Sequence, residues 1–356
     1  MAREKTRIKD IAERAGVSVG TVDRVLHNRP NVSPTALEKV NKALEEMNYQ
    51  PNMYASALAY NRSYTFICLM PKHASEAYWE EIEEGAMLAC EARRDFHVDV
   101  KMLYYKRFHD DTFKQACDEC LSLDPDGVVI VPDQFKLTQE FTDQLHEREI
   151  PFVLLDSYMP DLKPLSFYGQ DSFASGSFAA KMLMLIAQDE KELMLMKHTL
   201  NGRVASKQQE NREVGFRQYM ETHYPQIQIH EVHLPLDEEN RDGYDDILEQ
   251  YFKSHPATHH CITFCSKAHI VGDFLLRSKR NNVQIAGYDM VQKNANCLRA
   301  GSISFLIAQH AYMQGYYCVE VLFRAIVLKT QVTPVNYMPI EILYKENVDF
   351  YQRTMI

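Results

Sequence analysis

Apolar residues near the start of the chain recur at the spacing of a helix face. In Ile8–Ala15 they occupy positions i, i+3, i+4 and i+7, which predicts an amphipathic helix. Gly16 ends this helix, and Ser18 is a suitable N-cap for a second short helix over Val19–Leu26. Two short helices joined by a turn of a few residues that contains glycine have the spacing of a helix-turn-helix.

A third helix is predicted directly after this pair. Ser33 supplies an N-cap and Pro34 the first helical position, and the helical pattern continues to Met47. Its inward face is expected to consist of Leu37, Val40 and Leu44. Three helices within fifty residues predict a compact all-α head over residues 1–50.

Residues 51–62 separate this head from the rest of the chain. The segment favours helix but is short, and a helix of about nine residues is marginal by itself in water. We therefore expect a conditional element that folds only against DNA or against the body of the protein.

From Tyr64 onward, short β-rich runs alternate with helical runs, which indicates α/β units with parallel sheets. Strands are predicted at Thr65–Met70, His97–Leu103, Gly127–Val131, Pro151–Leu155, Leu193–Lys197, Gln228–Leu234, Cys261–Phe264, Gln284–Tyr288 and Pro339–Tyr344. Helices are predicted near Trp79–Arg93, Asp111–Leu123, Thr138–Glu147, Phe173–Ile186, Arg212–Thr222, Tyr244–Ser254 and His269–Lys279, with one long helix over 304–328. The expected body, residues 63–356, has a first lobe (63–167 and 302–331) and a second lobe (168–301 and 332–356).

The charge of the chain is distributed unevenly. Residues 1–62 contain ten Lys/Arg and seven Asp/Glu, a net charge of +3. Because the whole chain has a net charge of −10, residues 63–356 carry a net charge of −13. A basic head on an acidic body suits a DNA reader whose body the duplex repels, although ordinary surface variation is the alternative. The charged start and the lack of a run of about 18 apolar residues predict a cytoplasmic protein without membrane contact.

Several polar residues directly follow predicted strands. Asp156, Ser266 with Lys267, and Asp289 lie at positions where ligands settle beyond the carboxyl ends of parallel strands. Tyr78 and Trp79 add aromatic faces suited to the apolar side of a sugar ring. The alternatives are that the aromatic pair belongs to the core and that the aspartates cap helices.

The head closely resembles that of the lactose-repressor family. The resemblance rests on Ile8-Lys-Asp-Ile-Ala-Glu-Arg-Ala-Gly-Val-Ser-Val-Gly-Thr-Val-Asp-Arg-Val-Leu and on Asn48-Tyr-Gln-Pro-Asn52. It implies a regulator that binds double-stranded operator DNA as a homodimer on a near-palindromic site. No leucine heptad follows Tyr344, so a dimer is expected rather than a tail-assembled tetramer.

The same resemblance implies roles for residues of the head. Asp23 departs from the serine of many relatives, which leaves base readout at that position open. Residues 51–62 would be the hinge, with Leu58 as the apolar wedge between minor-groove base steps and packing on the body as the alternative. The implied base contacts are Val19, Gly20 and Arg24, the phosphate contacts are Ser18, Thr21 and Asn28, and Arg7 is a further candidate. Arg24 is the leading specificity residue, since its guanidinium fork matches guanine O6 and N7.

The body resembles the type I periplasmic-binding-protein fold that the family uses as its sensor. That resemblance implies ligand contacts at Tyr78, Trp79, Asp156, Arg212, Asp289 and Gln309, to which we add Ser266 and Lys267. The resemblance also implies a small sugar or sugar acid as the effector. Sugar-binding relatives usually carry Asn-Asp where this chain has Ser266-Lys267, and Lys267 together with Arg212 would favour an anionic group. The alternatives are that Lys267 pairs with a nearby aspartate or extends into solvent, and that Arg212 pairs with Asp or Glu.

Other chemistry is not indicated. Cys117-x-x-Cys120 and His259-His260-Cys261 lack the spacing of a metal site, the eight cysteines suggest no disulfide framework, and no dinucleotide, Walker or hydrolase motif is found. We therefore expect no cofactor, metal or catalytic residue. Two other classes remain, an exported solute-binding protein and an α/β enzyme acting on a sugar.

Overall fold

A computed structural model describes residues 7–26, 30–47, 49, 62–75, 78–200, 202–204, 206–235 and 241–351. The chain divides into two units, Met1–Asn61 and Arg62–Ile356, which are described separately. Asn28, Leu58 and all of the expected hinge except Arg62 lie outside the described residues, so those interpretations stay predictions.

The first unit contains the three predicted helices, α1 (Ile8–Ala15), α2 (Val19–Leu26) and α3 (Pro34–Glu46). Gly16 ends α1 in the left-handed conformation that glycine adopts without strain. Ser33 caps α3 by accepting a hydrogen bond from the Ala36 backbone nitrogen. The three helices are confirmed, and α3 ends at Glu46, one residue before its predicted end.

The core of the head is small and apolar. Ile11, Val22 and Val40 are fully buried and come from α1, α2 and α3 respectively. Leu37 was expected on the inward face of α3, but 44% of its surface is exposed. That expectation is wrong because the buried face of α3 is centred on Val40 and Ala43, one turn further along.

The second unit is an alternation of strands and helices, as predicted. Its strands are β1 (Tyr64–Pro71), β2 (Val98–Tyr105), β3 (Gly127–Ile130), β4 (Phe152–Leu155), β5 (Ser166–Gly169), β6 (Glu192–Thr199), β7 (Gln228–Pro235), β8 (His260–Thr263), β9 (Gln284–Tyr288), β10 (Ile303–Ala308), β11 (Val335–Tyr337) and β12 (Glu341–Leu343). Its helices are α4 (Tyr78–Ala92), α5 (Asp110–Ser122), α6 (Phe135–Glu147), α7 (Ser172–Ile186), α8 (Lys207–His223), α9 (Arg241–Ser254), α10 (Ala268–Arg277), α11 (Gln292–Ala300) and α12 (Ala311–Leu322).

These strands form two six-stranded sheets, one in each lobe. The first has the order β11-β5-β4-β3-β1-β2 and the second the order β12-β10-β9-β8-β6-β7. The described pairings are parallel apart from β10 with β12. The two-lobed α/β prediction is confirmed. No described helix is long and apolar enough to cross a membrane.

The predicted single helix over 304–328 is wrong. Its first part is β10, a strand between β9 and β12 that is buried except at Ser304. Only then does α12 begin, followed by a short π-helical segment, Phe323–Val327. A short run that is apolar at almost every position has no periodicity by which a central strand can be distinguished from a buried helix. The short strands β5 and β11 and the helix α11 were also missed.

Strand pairing changes the boundaries that were expected for the two lobes. β10 pairs with β9 and so belongs to the second lobe, although residues 302–331 were assigned to the first. β11 pairs with β5 and lies in the first lobe, although 332–356 was assigned to the second. The chain therefore crosses between the sheets three times, at residues 170–171, 309–310 and 338–340.

Candidate functional site

The body contains a cleft of about 710 Å³ at the carboxyl ends of strands from both sheets. This volume lies within the usual range of small-molecule sites, roughly 300–1,000 Å³. All eight residues predicted to contact the ligand line the cleft: Tyr78, Trp79, Asp156, Arg212, Ser266, Lys267, Asp289 and Gln309. The structure therefore brings together the whole set, and ligand contact by each residue stays a prediction.

Asp156 forms the centre of the first-lobe wall. It directly follows β4 with a positive φ of 71°, a conformation that is uncommon outside glycine and that clusters at binding sites. The Tyr78 hydroxyl donates to its Oδ1 at 3.1 Å, and the Ser157 hydroxyl donates to its Oδ2 at 3.2 Å. Its carboxylate is part of a buried polar network, not a helix cap. Burial raises the pKa of Asp156, and the nearby Arg107 and Arg212 oppose that rise.

The aromatic pair in this wall is arranged edge to face. The rings of Tyr78 and Trp79 have centroids 4.9 Å apart at an interplanar angle of 74°. Arg107, which the sequence analysis missed, places its guanidinium 4.9 Å from the centroid of the Trp79 ring. One face of Trp79 therefore carries a cation, which reduces the apolar surface available to a sugar.

Arg212 lies on the floor of the cleft with 1% of its surface exposed. Its Nη1 donates to the Phe264 carbonyl at 3.0 Å, and its Nη2 donates to Gln309 Oε1 at 2.9 Å. The guanidinium also lies 3.9 Å from the centroid of the Tyr288 ring, a cation–π contact. The described hydrogen bonds of Arg212 thus go to neutral acceptors, which locks its orientation.

Asp289 provides the second buried carboxyl group. It directly follows β9, again with a positive φ, and accepts a hydrogen bond from Gln309 Nε2 at 2.8 Å. Burial raises the pKa of Asp289 to about 6, although Arg212 acts in the opposite direction. Such a carboxylate is an acceptor suited to ligand hydroxyl groups.

Gln208 connects the two walls and was missed by the sequence analysis. Its Nε2, on α8 of the second lobe, donates to the Asp156 backbone carbonyl of the first lobe and to Gln309 Oε1, each at 3.1 Å. Gln208 lies in the first turn of α8, where most residues are polar, so the hydrophobic pattern does not mark it as a site residue. Its role depends on a lobe-to-lobe contact that only the folded chain reveals.

Ser266 and Lys267 line the cleft directly before α10. The next residue but one, His269, bonds to Asn294 Oδ1 through both its backbone nitrogen, at 2.9 Å, and its ring Nδ1, at 3.0 Å. Burial lowers the pKa of His269, which favours the neutral ring. The start of α10 is therefore held rigidly against α11.

In the head, the predicted DNA-contacting positions of α2 are accessible. Ser18 Oγ accepts from the Thr21 backbone nitrogen at 3.1 Å, so it caps α2 as predicted. Ser18, Val19, Gly20 and Arg24 are exposed, as is Arg7 at the start of α1, whereas Thr21 and Asp23 are half-buried. This face is available to a major groove, and contact by each residue stays a prediction.

The cysteines and histidines form no metal centre among the described residues. No group of three His, Cys, Asp or Glu side chains within the described ranges is arranged to hold an ion. Cys117 and Cys120 are free thiols buried in the first-lobe core. Burial raises the pKa of the Cys120 thiol to about 12, which keeps it protonated.

Both parts of the chain match known families. Residues 7–52 match bacterial regulatory proteins of the lacI family. Residues 67–330 match the periplasmic binding protein domain. The two matches follow the division into a three-helix head and a two-lobed body.

Curated relatives carry the names of transcription regulators. The HTH-type transcriptional regulator DegA of Bacillus subtilis is 28% identical over 244 residues, 66% of this chain and 64% of DegA. The chain thus spans slightly less than two thirds of the length of DegA. The ribose operon repressor of Lactococcus lactis is 23% identical over 328 residues, which is 90% of both chains.

A solved structure shares both fold and sequence. It is a Bacteroides fragilis protein assigned as a LacI transcriptional regulator, with a TM-score of 0.79 and 38% sequence identity. The similarity covers 82% of this chain and 100% of that one.

Proposed function

The chain belongs to the lacI family of bacterial regulatory proteins, and from that premise we propose that it is a sequence-specific, DNA-binding transcriptional repressor. Its operator affinity is controlled by a small carbohydrate-like effector bound between the two lobes. The effector is bound without turnover, in keeping with relatives that are named as transcription regulators.

The main support for a carbohydrate-like effector is the cleft. Buried carboxylates from both lobes, at Asp156 and Asp289, are held by amide, hydroxyl and guanidinium groups in one network. Several fixed acceptors and donors around a small cavity suit a polyhydroxylated ligand. Gln208 joins the two walls, so that a ligand in the cleft contacts groups whose positions depend on how the lobes meet.

The DNA-binding half of the proposal is supported by the exposed face of α2. One short recognition helix covers few base pairs, and a twofold axis doubles the sequence that is read. We therefore propose a homodimer on a near-palindromic operator, with Arg24 reading a base edge in each half-site.

A binding-site selection tests this half directly. Wild type is expected to recover a near-palindromic site from a random DNA pool, whereas Arg24→Ala loses about 1–3 kcal/mol per half-site and relaxes one base position. Lys253→Ala removes an exposed positive charge from the body and is the matched control, with selectivity unchanged. Full selectivity in Arg24→Ala would contradict the assignment, and a uniform loss of affinity would assign Arg24 to a phosphate instead.

A further inference from the structure

The cleft extends beyond the eight residues that were predicted to contact a ligand. Five further lining residues of the second lobe are here called the outer site: His198, Tyr244, Asp245, Ile270 and Arg277. His198 lies near the end of β6, Tyr244 and Asp245 lie near the start of α9, and Ile270 and Arg277 lie on α10. The sequence analysis assigned no role to any of them.

The strand order of the second sheet gives the length of the cleft. Gln309 directly follows β10, whereas Tyr244 lies on the helix that follows β7, and the strands between them are β9, β8 and β6. Four steps between neighbouring strands, at about 4.8 Å each, place these two ends roughly 19 Å apart. A pyranose built from bonds of about 1.5 Å measures roughly 6–7 Å across with its hydroxyl groups. One sugar ring therefore cannot contact both ends of the cleft.

The two lobes touch, so this length does not result from lobes that have swung apart. Gln208 of the second lobe donates to the Asp156 carbonyl of the first lobe at 3.1 Å. Arg203, which follows β6, places its guanidinium 5.9 Å from the centroid of the Phe108 ring, which follows β2 in the first lobe. That distance is within the range of a cation–π contact. The volume of about 710 Å³ is therefore a space between lobes that are in contact.

An ion pair in the outer site provides donors and acceptors side by side. Arg277 Nη2 lies 2.6 and 2.7 Å from the two carboxylate oxygens of Asp245, and 40% of the Arg277 side chain is exposed. Within the described ranges this guanidinium makes its hydrogen bonds through Nη2, so Nε and Nη1 remain as donors for water or a ligand. The Asp245 oxygens keep further lone pairs. Such a pair suits two neighbouring hydroxyl groups of a sugar.

The rest of the outer site is fixed by hydrogen bonds. The Tyr244 hydroxyl donates to the Pro235 carbonyl at 2.6 Å, and His198 Nε2 lies 3.1 Å from the same hydroxyl. Because the hydroxyl proton goes to Pro235, His198 donates through Nε2, which fixes the orientation of its ring. Ile270 is half-buried and adds apolar surface. The outer site therefore combines oriented polar groups with an apolar side chain, as a sugar ring requires.

We propose that the effector is a disaccharide, with one ring on the floor of the cleft and the second ring in the outer site. The inference rests on the proposed function, since it assigns the size class of the ligand for the same cleft. Hydroxyl groups of the first ring bind the network of Asp156, Arg212 and Asp289. Hydroxyl groups of the second ring bind the pair of Asp245 and Arg277.

Isothermal titration calorimetry on the full-length protein tests the inference with monosaccharides and the disaccharides built from them. The monosaccharides are D-glucose, D-galactose, D-mannose, D-xylose and D-galacturonate. The disaccharides are maltose, cellobiose, lactose, melibiose, mannobiose, xylobiose and digalacturonate. At least one disaccharide should bind about 10- to 100-fold more tightly than each of its component sugars, because hydrogen bonds in the outer site add to those on the floor.

Two outer-site variants and one control locate the second ring. Arg277→Met and Asp245→Ala should each reduce the affinity for that disaccharide towards the affinity for its component sugars. Arg299→Met is the matched control, because Arg299 also pairs with an aspartate of the second lobe, Asp349, has 41% of its side chain exposed and lies outside the cleft. It should bind as wild type does. Thermal unfolding of each variant separates a binding defect from misfolding.

The other outcomes contradict the inference in different ways. A monosaccharide that binds as tightly as every disaccharide containing it would overturn the inference and leave the proposed carbohydrate sensor standing. A preference for a disaccharide that survives both substitutions would show that the second ring lies elsewhere than in the outer site. Failure of every compound to bind would count against the proposed carbohydrate effector itself.

Discussion

At Asp289, ligand binding and folding stability favour opposite protonation states of the buried carboxyl group. Its burial raises the pKa from the ordinary value of 3.8 to about 6. The folded chain thus holds this proton more tightly than the unfolded chain does, so the contribution to stability is fully present below about pH 4 and is lost as the pH rises through 6. A buried carboxylate at neutral pH makes sense as an acceptor held ready for a ligand.

Asp289→Asn should therefore be more stable than wild type at pH 7.5, because the amide cannot ionise. We expect a gain of about 1–3 kcal/mol in the free energy of unfolding, which shrinks towards zero near pH 4. Chemical denaturation across this pH range measures it. Asp246→Asn, an exposed substitution on α9, is the control and should show no such trend. Parallel pH profiles for wild type and Asp289→Asn would refute the account of this residue.

At the scale of elements, the three crossings between the sheets are joined by one side chain. Gln170 Nε2 donates to the Ala308 carbonyl at 2.9 Å and to the Pro339 carbonyl at 2.8 Å, so that all three crossings meet. Its Oε1 accepts from the Ser175 hydroxyl, which also contacts the Tyr288 hydroxyl at 3.1 Å. Because the Tyr288 ring lies against Arg212, this chain of contacts runs from the cleft floor to the three crossings.

Gln170→Leu should loosen the crossings together, because the buried Ala308 carbonyl and the part-buried Pro339 carbonyl both lose their donor. A buried acceptor left without a partner costs roughly 1–3 kcal/mol, so we expect a loss of about 1–3 kcal/mol in the free energy of unfolding. Hydrogen exchange should accelerate in all three crossing segments. The control is Gln284→Leu, which loses a single, exposed side-chain bond to the Gly301 carbonyl. Acceleration in one segment alone would show that Gln170 does not join them.

The sequence predicted the elements best where local chemistry determines them. The caps at Ser18 and Ser33 and the left-handed Gly16 define the head helices within a residue. β10 was mistaken for helix because the neighbouring strands β9 and β12, distant in sequence, decide its conformation. The same distinction explains which residues of the cleft were predicted. Residues that directly follow strands could be identified from the sequence, whereas Arg107 and Gln208 line the cleft through contacts that only the folded chain makes.

For the whole molecule, the central claim is that one chain links a carbohydrate cleft to operator DNA. Residues 1–62, which include the head, carry a charge of +3 and residues 63–356 carry −13, a distribution that favours DNA contact through the head. An effector alters that affinity only through unequal binding to the DNA-competent and DNA-incompetent states of the body.

The most direct test is the operator dissociation constant of the full-length protein, measured by fluorescence anisotropy at constant salt with and without a saturating ligand. The DNA is the site recovered by random-sequence selection, and the ligand is the member of a panel of sugars and sugar acids that binds the full-length protein most tightly in a thermal-shift screen. We expect the ligand to change the dissociation constant by about 5- to 150-fold, the usual range of allosteric coupling. An unchanged dissociation constant with the cleft occupied, or no preferred DNA site at all, would contradict it.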